Sequence, residues 1–252
     1  MSATFHDLKG ASVFITGGGN GIGAALTEGF LAQGAKVAFV GRSDASAFVE
    51  AMDKAYGNRP LFIQCDITDT AALQAAMEQA AQAHGPFAAL INNAANDMRY
   101  DAMEITPEVW DDSQAVNFKA YFFACQKAAE LMADKGSIIN FSSITYMMGA
   151  AGMVPYVSAN AGITGMTRAL AREWGPKGIR VNAIAPGWVF TEKQETLWAT
   201  PEAKVAFLEK QCLKEFIQPA DMVGGTLFLA SDASAMMTGQ VMVIDAGVVH
   251  AG

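Results

Sequence analysis

The chain has 252 residues, 52% of them apolar, and a formal net charge of −8. That length suits one α/β domain spanning 1–252, with a large core and apolar surface left for subunit contacts. The negative charge argues against nucleic acid and anionic membrane as partners, because both favour basic patches.

Cys65, Cys125 and Cys212 lie far apart, without metal-ligand spacing, and their odd number argues against a disulfide framework. A reducing cytoplasm fits this usage. The start, MSATFHDLKG, lacks an apolar signal core, and no apolar run is long enough to span a bilayer. His6, His84 and His250 fall in no constellation, so no metal is expected.

In chain order, the first strand-like run is ASVFIT (11–16), and TGGGNGIG (16–23) follows it and opens a helical pattern. Gly17, Gly21 and Gly23, with Gly19, Asn20 and Ile22 beside them, would let the backbone turn tightly against a pyrophosphate. The helix N-terminus there supplies N–H groups and positive dipole. Glycine clusters also make ordinary turns, and the spacing here is Gly-x-x-x-Gly-x-Gly rather than the commoner Gly-x-Gly-x-x-Gly. KVAFVG (36–41) comes next. An acid after this strand accepts the adenosine ribose 2′-OH, whereas an arginine favours a 2′-phosphate. Gly41 stands in the acid's place, followed by Arg42 and Ser43, which favours NADP over NAD. The alternatives are that Arg42 is a solvated loop charge and that Asp44 takes the ribose.

LFIQC (61–65) leads into CDITD, which puts Asp66 and Ile67 beside the adenine, or makes Asp66 a turn or cap residue. TDTAALQAAMEQAAQAHG then reads as a helix with capping residues at its start and Gly85 at its end. AALINN (88–93) runs into NNAA (92–95), where Asn93, Ala94 and Ala95 line a cofactor channel or form a plain strand-end turn. One long helix is expected from Thr106 as N-cap and Pro107 at the first position to Gly136, with Asn117 in its middle. GSIINFS (136–142) is the fifth strand, and IRVNAIA (179–185) the sixth. The irregular stretch PGWVFTEKQETLWATP (186–201), within a substrate loop at about 186–213, could cover a site beyond the strand ends. QVMVID (240–245) closes the series. The alternation predicts right-handed βαβ units in a single doubly wound, parallel, seven-stranded sheet of Rossmann type.

Taken together, TGGGNGIG, CDITD, NNAA, Asn117, Ser143, Tyr156 and APGWVFT make the chain resemble the short-chain dehydrogenase/reductase family over nearly its whole length. NNAAND, EKQET, KQCLKEF and VIDAG look most like bacterial aldose 1-dehydrogenases, which oxidise pentoses or deoxyhexoses at C1 to the lactone. The resemblance implies a homotetramer in which Tyr156 is the general base, Ser143 orients the substrate hydroxyl and Asn117 holds a relay water. It places Pro186, Gly187, Val189 and Thr191 around the nicotinamide carboxamide. Singly, Tyr156 reads as a helix residue, Ser143 as a cap and Asn117 as a buried amide. Polar partners for a sugar are Asn96, Asp97, Arg99, Thr145 and Gln194, with Trp188 and Trp198 as stacking surfaces or loop packing. YMMGAAGMV (146–154) is apolar and keeps a less polar alcohol or ketone open as the substrate. A cofactor-binding protein without turnover is the reading from another class.

One residue departs from the resemblance in a way that matters. Asn160 stands where the family carries lysine, one helical turn from Tyr156 and on the same face. In the family that lysine holds the nicotinamide ribose and lowers the tyrosine pKa. A cation about 4–6 Å from a phenol favours phenolate by roughly 3–4 kcal/mol at an effective dielectric near 20. Asparagine can donate to a ribose hydroxyl but carries no charge, and the oxidised nicotinamide replaces part of the effect. The expectation is a chain that binds cofactor and oxidises substrate slowly at neutral pH, by a factor on the order of 10²–10⁴. Asn160 is equally compatible with a native residue and an introduced one. Ala95, where the family usually has glycine, adds one methyl beside the cofactor.

Overall fold

The computed structural model describes residues 3–250, and the ends of the 1–252 reading lie outside it. The strands are β1 (Ser12–Thr16), β2 (Lys36–Gly41), β3 (Leu61–Gln64), β4 (Phe87–Asn92), β5 (Met132–Phe141), β6 (Ile179–Pro186) and β7 (Val241–Ile244). They form one parallel sheet in the order β3-β2-β1-β4-β5-β6-β7. The helices are α1 (Gly21–Ala32), α2 (Ser46–Tyr56), α3 (Thr70–His84), α4 (Pro107–Gln114), α5 (Ala120–Leu131), α6 (Thr145–Met148), α7 (Val154–Trp174), α8 (Glu192–Leu197), α9 (Pro201–Lys210) and α10 (Asp221–Ala230).

Strand periodicity divides the core in two. Val13 and Ile15 of β1 face Leu26 and Phe30 of α1 and Leu227 of α10, while Phe14 faces the layer containing Met77 of α3, Ala124 of α5 and Leu170 of α7. Val37 and Phe39 join the first layer, Ala38 and Val40 the second. Full burial of side chains such as these contributes about 1.5–3 kcal/mol each. β1 has β2 on one side and β4 on the other, so the winding reverses between β1 and β4. Ligands of open α/β sheets sit in the crevice at that reversal.

The sheet matches the expected class, and three local details differ from expectation. The long helix is not continuous: a π-helical turn, Ala115–Lys119, separates α4 from α5 and contains Asn117. Its end is Leu131 rather than Gly136, because β5 begins at Met132 and slips register against β4 between Phe87 and Ala89. The 186–201 stretch is also more ordered than its irregular sequence suggests. Thr191 and Thr200 accept from Gln194 N and Ala203 N as N-caps of α8 and α9, and Pro201 starts α9.

A buried polar chain ties β4, β5 and α7 together. Asn92 Nδ2 donates to Asn140 Oδ1 at 2.9 Å, and Asn140 Nδ2 donates to Thr167 Oγ1 at 3.1 Å. Ser12 Oγ, by contrast, is buried with no hydrogen-bond partner. Asn140→Ala removes the donor to Thr167 Oγ1 and one of the acceptors of Asn92 Nδ2, which keeps Tyr121 O, and should cost about 1–3 kcal/mol, lowering Tm by roughly 3–10 °C. Ser12→Ala removes an unpartnered hydroxyl and should leave Tm within about 1 °C or raise it. Calorimetry of both variants checks the contrast.

Candidate active site

At the sheet reversal, β1 passes directly into the glycine loop. Gly17 has φ +70°, and a Cβ there would lie 3.1 Å from Ala94 Cα. A Cβ on Gly23 would lie 1.9 Å from the Gly17 carbonyl oxygen, a collision that nothing flexible can relieve. Thr16 Oγ1 accepts from Asn93 N at 2.9 Å and Ala94 N at 3.1 Å, and Asn93 Nδ2 donates to the carbonyls of Thr16 and Gly17. The loops after β1 and β4 are thus stitched into one wall, with Ala95 exposed at its rim. Asn20 is extended and precedes α1, leaving Gly21 and Ile22 in the first turn. A Cβ on Gly21 would touch Thr191 Cγ2 at 3.2 Å, which places the lid against the phosphate loop. Gly187 N donates to Ile244 O, Val189 is buried, and β6 ends at Pro186.

The adenosine side is less closed. Asp44 Oδ1 accepts from Ser46 N and from Ser46 Oγ at 2.6 Å, bonds that hold its carboxyl below the usual carboxylate range. Asp44 thus caps the start of α2 through Oδ1. Arg42 and Ser43 are exposed, and Arg42 takes part in no ion pair among the described residues. Asp66 makes a turn by accepting from Thr68 N and Oγ1, which with Arg42 nearby keeps its carboxyl low; Ile67 beside it is buried. Gly19 packs a position whose Cβ would meet Ala45 and Phe39 at 3.2 Å. The cradle fits a dinucleotide: two loop positions exclude even a methyl, and the first turn of α1 offers its free N–H groups to a pyrophosphate.

Beyond this wall lies a polar cluster around Tyr156. Tyr156, near the start of α7, has the Ser143 hydroxyl beside its phenol. Ser143 Oγ also accepts from Thr145 N at 3.2 Å, at the start of α6. The phenol pKa is pushed up to about 12, first by burial and then by the Asp97 carboxylate; hydrogen bonds with Asn160 and Ser143 pull it back only in part. No cation acts on it. Asn160 is 2% exposed, and its Nδ2 donates to the Tyr156 carbonyl at 2.8 Å, so the amide is turned into its own helix. Ser142 Oγ donates to the Asn160 carbonyl and Gln114 Nε2 to the Pro155 carbonyl, fixing the first turns of α7.

Asn117 joins this cluster through Asn96. Its Oδ1 accepts from Asn96 N at 2.8 Å, and its Nδ2 donates to Asn96 O at 2.9 Å and Ser113 Oγ at 3.2 Å. Opposite, Gln194 bridges two groups: Oε1 accepts from Trp188 Nε1 at 2.8 Å, and Nε2 donates to Asp97 Oδ2 at 2.6 Å. Trp188 packs on Phe190 and Phe207, and Arg99 lies 4.3 Å over the Trp198 ring. Trp188 thus bonds protein through its indole N–H, whereas Trp198 Nε1 is buried with no hydrogen-bond partner among the described residues.

The structure brings Ser143, Tyr156, Asn160, Asp97 and Gln194 to one place, with Asn117 one residue behind through Asn96. Sequence reasoning missed Thr16, Gly18, Gln114, Ser142 and Lys193. Gly18 was legible in principle, since it lies inside the glycine run; a Cβ there would sit 2.5 Å from Phe39 Cβ. The others carry no signal beyond a polar residue adjoining a motif.

A doubly wound sheet with this cradle at its reversal and a serine–tyrosine pair beyond it defines a dinucleotide-dependent oxidoreductase. The chain belongs to the short-chain dehydrogenase/reductase family and acts with NAD(P). The family model that matches residues 17–249 is described as enoyl-(acyl carrier protein) reductase. A "Probable galactose dehydrogenase GalD" of Rhizobium meliloti is 46% identical over 251 residues, covering 98% of each chain. A D-xylose 1-dehydrogenase of Caulobacter vibrioides is 42% identical over 249 residues, again covering 98% of each. A blue fluorescent protein from a metagenomic library, solved in complex with NADPH, superimposes with a TM-score of 0.89 at 32% identity, covering 97% of this chain and 100% of that one.

Gly23→Ala should weaken NADPH binding by at least about a hundredfold, because relieving the clash reshapes the loop whose N–H groups meet the pyrophosphate. Fluorescence titration with NADPH measures this, and Gly165→Ala, which meets nothing within 4 Å, is the control that should bind normally.

Proposed function

We propose that the chain oxidises a neutral aldose at C1 to the lactone, with NADP as the preferred cofactor and with turnover at neutral pH limited by Asn160. The observation that carries the substrate class is the polar rim around Ser143 and Tyr156. Asp97, Lys193 and Gln194 are bonded together there, with the Asp97 carboxylate acting on Tyr156, and a sugar's hydroxyls need such partners once they leave water. The names of the two curated relatives, both sugar dehydrogenases, agree with that rim. The preference for NADP rests on Arg42 following β2, exposed and in no ion pair among the described residues, while Asp44 Oδ1 caps α2.

In this reading the Gly17–Gly23 loop, Asn93 and Ala94, and the 186–191 segment hold the dinucleotide, whose nicotinamide, when bound, supplies a hydride acceptor. Ser143 orients the C1 hydroxyl. Tyr156, as phenolate, takes the hydroxyl proton onto its oxygen while the C1–H bond is broken. Asn117 spends both amide donors on Asn96 and Ser113, so it clamps the substrate wall and offers a relay water only its carbonyl. Asn160 contributes position without charge. Assembly through α4, α5, α7 and β7 into a homotetramer is part of the same proposal; Trp110 and Phe122 are exposed on those helices.

The sign of the pH dependence follows. The reactive form is the phenolate, and its ionisation lies at about 12. The rate of NADP⁺ reduction with L-arabinose, D-galactose or D-xylose should therefore rise roughly tenfold per unit from pH 7 to 10.5. Asn160→Lys should be faster at pH 7 by a factor on the order of 10²–10⁴ and level off at lower pH, while Asn160→Ala keeps the parent's slope. Coincident profiles for the parent and the lysine variant would contradict this role for Asn160.

A further inference from the structure

The Asp97 carboxylate occupies an unusual position. It lies three residues beyond Ala94, which with Asn93 builds the wall, and its side chain is only 19% exposed. One oxygen accepts from Lys193 Nζ at 2.6 Å and the other from Gln194 Nε2 at 2.6 Å, both from α8. Gln194 N in turn donates to Thr191 Oγ1, and Thr191 lies close enough to Gly21 of the phosphate loop that a Cβ there would meet it at 3.2 Å. A single run of contacts thus links the cofactor cradle, the lid and this carboxylate. The same carboxylate acts electrostatically on Tyr156. A carboxylate has about four acceptor positions; the bonds from Lys193 and Gln194 and one from its own backbone N–H leave capacity unused. What remains is acceptor capacity fixed in direction, on a group that cannot swing away without breaking an ion pair.

We propose that Asp97 is the residue that selects a polyhydroxylated substrate: with its remaining lone pairs it accepts sugar hydroxyls distal to C1, while Lys193 and Gln194 hold it in place beside Ser143 and Tyr156. Such a hydroxyl removed from water needs an acceptor, and a site built to supply one rejects analogues that lack the hydroxyl. Lys193 balances the charge of Asp97, so the carboxylate stays ionised although little of it meets solvent. Its carboxyl lies below the usual carboxylate range because the bonds from Lys193 and Gln194 outweigh the opposing effect of burial, the largest single influence on it. This proposal rests on the aldose reading.

Binding to the NADP⁺-loaded chain tests it without relying on turnover. Tryptophan fluorescence follows D-galactose, D-xylose and cyclohexanol, because Trp188 is hydrogen-bonded to Gln194 at the lid. Asp97→Asn should weaken aldose binding by about tenfold or more, leaving cyclohexanol and NADP⁺ affinities within roughly twofold. Lys193→Met keeps the carboxylate and its Gln194 bond but loosens its hold, and should weaken aldose binding clearly less than Asp97→Asn does. If Asp97→Asn binds aldoses as the parent does, or if the two variants lose affinity equally, the carboxylate acts only through the lid and the proposal is overturned. If the parent binds cyclohexanol and no aldose, the sugar reading itself falls and this proposal with it.

Discussion

The proposed chemistry depends on the burial of one phenol, Tyr156, on which no cation acts among the described residues. Hydride transfer benefits from a site that excludes water, and a site that excludes water disfavours the charged form of any acid in it. Tyr156 sits at that conflict. Burial raises its ionisation to about 12, the Asp97 carboxylate adds to the rise, and the neutral donors Ser143 and Asn160 recover only part. A charged neighbour one helical turn away is the direct physical remedy. In its place stands an amide whose Nδ2 is turned back onto the carbonyl of Tyr156.

The scaffold around that phenol is intact. Thr16 accepts two backbone N–H groups from the β4 loop, Gln114 and Ser142 pin the start of α7, and the glycine loop packs to the limit that backbone allows. An apparatus that has lost selection tends to lose several such contacts together. Here a single electrostatic feature differs while positioning remains, so binding and chemistry should be separable in this chain. Positioning and acid–base catalysis are distinct contributions, and under the proposed function only the second is compromised.

Much of this was legible in the sequence. Short apolar runs alternating with helical patterns gave the parallel sheet, and the strand ends fell within a residue or two of expectation except at β5. The glycine loop was readable because only glycine tolerates those backbone approaches. The π turn at Asn117 was not, because it shifts hydrogen bonds without altering composition. The order in 186–201 was hidden by short helices too brief to show periodicity, although Thr191, Thr200 and Pro201 were present as start signals. The pairing of Asp97 with Lys193 spans 96 residues and has no local signature at all. Nor did the sequence reveal that Asn160 turns inward, since its amide geometry depends on the packing of α7 under Ser142.

The most direct test is to titrate Tyr156 itself. Selectively labelled tyrosine, observed by NMR in the NADP⁺-bound chain and assigned with Tyr156→Phe, reports its ionisation apart from the other four tyrosines. The account predicts that the Tyr156 phenol remains protonated through pH 10.5, consistent with a midpoint at about 12. Half-ionisation at or below roughly pH 9, under the ordinary tyrosine value, would mean that a positive charge reaches the site from elsewhere and would contradict it.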